Sequence, residues 1–107
     1  MPFLNPQTQR LHDASEASKY HPVAWKDWLL FVEAALFYRL ARTKLLIHEN
    51  LDSSPDPLED KIDCDVAMKE FLLRRRVASM NLAGTEHARA IAHATEDQVC
   101  DLFLPQI

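Results

Sequence analysis

Residues 22–50 read PVAWKDWLLFVEAALFYRLARTKLLIHEN, and this stretch decides the fold. After Pro22 it holds neither proline nor glycine, and it is rich in the residues that lose least on entering a helix. At ~1.5 Å per residue it predicts a helix on the order of 40 Å long. Spaced about 100° apart, Leu29, Leu36, Leu40 and Ile47 fall on one row with Trp28, Val32, Ala35 and Leu46 beside it, a broad surface expected to face the core. The opposite row reads Lys26, Leu30, Glu33, Phe37, Lys44 and His48, so large apolar side chains alternate with charges where a monomer's outer row would be polar.

A helix that is apolar nearly all round has to be covered on both sides. The sequence offers two covers for this row: the N-terminal segment, through Phe3, Leu4 and Leu11, or another protein. The second is favoured, with Trp25, Trp28, Leu30, Phe31, Glu33, Phe37 and Tyr38 as expected interface residues and a two-fold homodimer as the commonest form.

Working outward, LDSSPDP (residues 51–57) is the clearest turn. Asp56 is placed as N-cap, Pro57 as first helical residue and Glu59 as the acid of a capping box, with Asp60, Asp63 and Asp65 adding the negative charge that a helix N-terminus favours. The helix so begun is expected to run to about Asn81, with Leu58, Ile62, Val66, Leu73, Val77 and Met80 on one stripe and Cys64, Met68 and Phe71 on another. Gly84 suits a left-handed helix end and Thr85 the next N-cap. A last helix then keeps its spacing through Ala88, Ile91, Ala92, Val99, Leu102 and Phe103, with Thr95 and Gln98 as a second capping box able to split it. Upstream, Asn5-Pro6 opens a weak helix carrying only Leu11, Ala14 and Ala17, which the residue before Pro22 ends.

The reading is therefore all-α: a single-domain bundle of three main helices (about 22–50, 57–81 and 85–104) around an antiparallel central hairpin. A weak N-terminal helix (about 6–19) lies in a loosely packed arm over residues 1–21. One glycine in 107 residues excludes the turn-rich all-β architectures. A hairpin also sets Arg39, Arg42 and Lys44 beside the acidic run Glu59 to Asp65, a register signal more than a source of stability.

Net charge is −4, with six Lys/Arg against eleven Asp/Glu in residues 51–107, which argues against a surface built wholly for nucleic acid. The one dense basic run is Arg74-Arg75-Arg76; with Arg89 on the last helix it is the candidate contact for an anionic partner, and a small DNA-associated regulator is the alternative function. Three successive helical residues fan across about 200°, so their neutralisation by Asp27 and Glu33 is the blander expectation. Of five histidines, His12 with Glu16 and His93 with Asp97 stand four residues before a carboxylate on an expected helix, and no two histidines repeat at that spacing, so no metal and no cofactor is expected. Cys64 and Cys100 lack CxxC spacing and read as reduced packing thiols, and no glycine-rich loop exists to cradle a phosphate. An enzyme with a site around His93, Asp97 and Cys100 is the remotest reading. The opening MPFLNPQTQRLHDASEAS lacks a secretion signal and the apolar run from Trp28 to Ala41 is too short and charged to span a bilayer, so a cytoplasmic protein free of membrane is expected.

Overall fold

A computed structural model describes residues 5–50 and 57–103, and among these it contains helices and turns but no strand. Five helices follow one another: α1 (Pro6–Lys19), α2 (Ala24–Glu49), α3 (Pro57–Met80), α4 (Glu86–Ala92) and α5 (Glu96–Asp101). Their ends follow local chemistry. The Asn5 side chain accepts from the Thr8 amide with Pro6 at the first helical position, and His21 Nδ1 accepts from the Ala24 amide at 3.2 Å to open α2. Gly84 takes the left-handed conformation (φ 88°), and Thr85 caps α4 through the Ala88 amide. The turn at 51–56, with its proposed cap Asp56, lies outside the described residues, as do Phe3 and Leu4.

α2 and α3 pack antiparallel along their lengths. Asn81 donates its side-chain amide to Asp27 at one end, His48 pairs with Asp60 at the other, and the rings of Tyr38 and Phe71 lie 5.8 Å apart between them. α1, α4 and α5 form a second layer against the hairpin: α4 packs on α3, α5 on α2, and α1 on α2, α4 and α5. The 19 Å shortest dimension of the molecule matches two helix layers of ~10 Å each. The core lies between the layers, where Trp28 meets Phe31 edge-on at 5.6 Å and Phe31 stacks on Phe71 at 5.5 Å, surrounded by Leu11, Val32, Ile91 and Val99.

Three expectations change. The last helix is two: the Thr95–Gln98 capping box is fully formed, and it starts α5 after α4 has ended at Ala92. α1 packs more closely than its few apolar residues predict, with Leu11 and Ala14 fully buried and Thr8 and Ser18 beside them. The small alanines at 14, 34, 35 and 78 let the backbones approach closely, which compensates for sparse bulk.

The third change concerns which face of each long helix is inside. On α2 the core row is Trp28, Phe31, Val32, Ala34 and Ala35, while Leu29, Leu36, Leu40, Leu46 and Ile47 remain exposed. On α3 the buried positions are Asp60, Phe71 and Ala78, while Leu58, Ile62, Val66, Leu73 and Met80 are outside and Val77 is half-buried. The cause is that both neighbours of α2, namely α3 and the α1/α5 layer, approach it from the half that carries Trp28 and Phe31.

Candidate functional site

The two-layer arrangement covers one side of the hairpin and leaves an apolar surface on the rest of it. On α2 the exposed residues include Leu29, Leu36, Phe37 (58% exposed), Leu40 (66%) and Ile47; on α3 they include Ile62, Val66 (61%), Leu73 and Met80 (64%). Phe37 aside, the residues on each helix recur at intervals of four and seven, the spacing that keeps a stripe along one line of a helix and the pattern of coiled-coil seams. Polar residues interrupt each stripe at that same spacing: Glu33 and Thr43 on α2, Lys69 and Arg76 on α3. Phe37, Leu40, Ile62, Val66, Leu73 and Met80 are each more than half exposed, and large apolar residues uncovered in rows, unlike ones scattered singly, mark an interaction surface.

The residues singled out on α2 divide between core and surface. Trp28 (2% exposed) and Phe31 (0%) are core residues, so neither can offer area to a partner, which corrects their assignment to an interface. Trp25 and Tyr38 are half-buried against the core, and Leu30 is half-buried. Glu33 and Phe37 face solvent as expected. Sequence reasoning missed Leu40 because it sent that row inward, and missed Ile62, Val66, Leu73 and Met80 because it named two stripes on α3 without deciding which one faces the core. A signal was present in Lys69 and Arg76, which share the α3 stripe and place it outside the chain's own core.

The basic groups are dispersed. Arg74 Nε donates to Glu70 at 2.7 Å; Arg75 turns inward, donating to the Ala94 carbonyl at 2.8 Å with its guanidinium 5.6 Å from the Phe71 ring; Arg76 is exposed. Asp27 is engaged by Asn81 and does not serve this run. Arg89 stands on α4 beside a cleft of about 510 Å³ between α1 and α4, where Arg10, His87 and His93 are offset by Asp13 and Glu86. The pairing expected between Arg39, Arg42 and the α3 acids is also redirected. Arg42 bonds Glu96 at 3.1 Å and Asp97 at 2.8 Å, and Arg39 lies 3.7 Å from Asp97, so both hold α5. Among the described residues, Lys44 (3.9 Å) and His48 reach Asp60.

Burial raises the Cys100 thiol pKa, and burial followed by Asp65 raises that of Cys64, so each thiol is held in its less nucleophilic protonated form. Asp97, the expected partner of His93, is taken by the two arginines. Among the described residues no three His, Cys, Asp or Glu side chains are grouped to hold a metal ion, and no helix is long and apolar enough to cross a membrane. No protein-family model matches the chain, and neither curated proteins nor solved structures give a match.

Proposed function

We propose that the chain is a non-catalytic protein-interaction module that self-associates through the uncovered apolar face of the α2–α3 hairpin. The observation that carries this reading is the seam-like spacing of exposed Leu, Ile, Val, Phe and Met side chains on both long helices. Keeping such side chains in water forgoes about 25 cal/mol for each Å² left uncovered. A partner that covers them recovers that free energy, less the entropy of association. Protonated thiols and carboxylates already held by arginines support a role without chemistry of its own. Two free cysteines without a disulfide fit a reducing, cytoplasmic setting. The dispersal of Arg74, Arg75, Arg76 and Arg89 over inward, paired and separate positions weighs against the DNA-associated alternative.

Sedimentation equilibrium tests the reading. The protein is expected to associate at micromolar concentration, and Phe37→Asp or Leu73→Asp to yield a folded monomer with unchanged helical circular dichroism. A chain that stays monomeric at roughly 100 μM, far above the ~1 μM that corresponds to −8.2 kcal/mol, rules out self-association.

A further inference from the structure

We infer that the second copy docks with its α3 antiparallel to the first, about a two-fold axis midway between Val66 and Lys69; the inference rests on the self-association proposed above. Two independent features of α3 lead to it. The first is charge. Its opening half exposes Glu59, Asp63 and Asp65 with Lys61, and its closing half carries Lys69, Arg74 and Arg76 with Glu70. Asp60 and Arg75 do not enter this balance, because Asp60 is buried against His48 and Lys44 and Arg75 is turned to Ala94. Two such helices side by side in parallel would set acid on acid and base on base. Reversing one brings each acidic half against a basic half and also opposes the helix dipoles favourably.

The second feature is register. Glu59, Ile62, Val66, Lys69, Leu73, Arg76 and Met80 advance by alternating steps of three and four residues, one unbroken seam. Turned about the proposed axis, this seam pairs Glu59 with Arg76 of the second copy, Ile62 with its Leu73 and Val66 with its Lys69, and symmetry makes each pair twice. Every apolar residue in the centre meets an apolar group, since the methylene stem of Lys69 lies along Val66 while its ammonium reaches the rim. The same level of the hairpin carries more apolar surface. The Asp27–Asn81, Tyr38–Phe71 and His48–Asp60 contacts set α2 residues near 40 level with the axis, the exposed Phe37 and Leu40 among them.

Charge reversal separates this arrangement from its competitors. In the antiparallel register Glu59→Lys alone and Arg76→Glu alone each place like charges together twice, and each is expected to raise the dimer Kd at least about tenfold. The double variant Glu59→Lys/Arg76→Glu restores opposite charges and should return to within about threefold of the parent. In a parallel arrangement no reversal changes the sign relation of any facing pair. A thermal melt of each variant checks that α3 is intact, and oxidation offers a second readout. Glu59→Cys mixed with Arg76→Cys should form a disulfide-linked pair above the background of the parent protein, whereas efficient linking of Glu59→Cys to itself overturns the orientation. If Leu73→Asp gives a monomer while neither reversal moves the Kd, the register is wrong and the docking face stands. A parent chain that is monomeric throughout removes both, leaving the face to a different protein.

Discussion

Arg42 and Asp97 are joined by a 2.8 Å charge-assisted hydrogen bond that spans 55 residues of sequence and ties the short α5 to the middle of α2. The same guanidinium holds Glu96 at 3.1 Å, and Arg39 approaches Asp97 from the preceding turn. The bond to Asp97, ahead of the opposing effect of burial, keeps the Arg42 pKa above its ordinary value. A six-residue helix has too few internal bonds to persist alone, so its position depends on such ties and on Val99 and Cys100 beneath it. Arg42→Ala is expected to destabilise the fold by about 0.5–1 kcal/mol, modest because the pair is partly exposed, and to lower Tm by roughly 2–8 °C. Arg42→Lys should recover less than half of the loss, since one ammonium cannot serve two carboxylates with the geometry of a guanidinium.

The break between α4 and α5 rests on Thr95. Its hydroxyl accepts from the Gln98 amide at 3.2 Å, and Gln98 Oε1 accepts in turn from the Thr95 amide at 3.0 Å, satisfying two donors that the helix start leaves open. Thr95→Ala should cost about 1 kcal/mol by chemical denaturation, whereas Thr95→Ser, which keeps the hydroxyl, should stay within a few tenths of the parent. Equal losses for the two would show that the methyl group, and not the cap, is what matters there.

Stability is expected to fall on the alkaline side. The thiols of Cys64 and Cys100 and the phenol of Tyr38 all have pKa values raised in the folded chain, each chiefly by burial. A raised pKa in a group that ionises to an anion means that the folded state holds its proton more tightly than the unfolded state does. The stabilisation is then complete below the ordinary thiol pKa and is lost as the pH climbs through the raised values, first for the thiols and then for Tyr38. Thermal melts should show Tm declining from about pH 8.5 upward, the ordinary thiol value. Cys100→Ala should flatten the first part of that decline, and an unaltered slope in that variant would assign the effect elsewhere.

Much of the fold was legible because it rests on local chemistry. Asn5-Pro6, Gly84-Thr85 and Thr95-Gln98 announce helix ends through side-chain hydrogen bonds and backbone conformation that need no tertiary context. The inward faces of α2 and α3 were not legible, because both helices carry apolar rows on more than one side. Periodicity then shows that a row exists without showing which row meets the neighbour. What decides is bulk: Trp28, Phe31 and Phe71 interlock as three rings across the hairpin, and the leucine rows are left outside. Charge pairing misled for a similar reason. The hairpin register pointed Arg39 and Arg42 at the α3 acids, yet the packing of α5 on α2 gives them Glu96 and Asp97 instead.

Phe31 and Phe37 stand six residues apart on α2, one fully buried and the other 58% exposed, so they separate folding from association. Phe31→Ala removes a ring that touches both Trp28 and Phe71, and deletion of a buried aromatic costs about 3–5 kcal/mol, a large share of the ~5–15 kcal/mol that holds a domain together. That variant should melt early at every protein concentration. Phe37→Ala leaves the core untouched, so its melt at high dilution should match the parent within about 0.5 kcal/mol. At high concentration the parent is stabilised by mass action and its Tm rises, because the associated form does not bind the unfolded chain. Phe37→Ala should show a smaller rise, and scanning calorimetry across a hundredfold range of concentration measures the difference directly. A parent Tm independent of concentration, with Phe37→Ala identical to it throughout, would mean that this exposed ring meets no second copy.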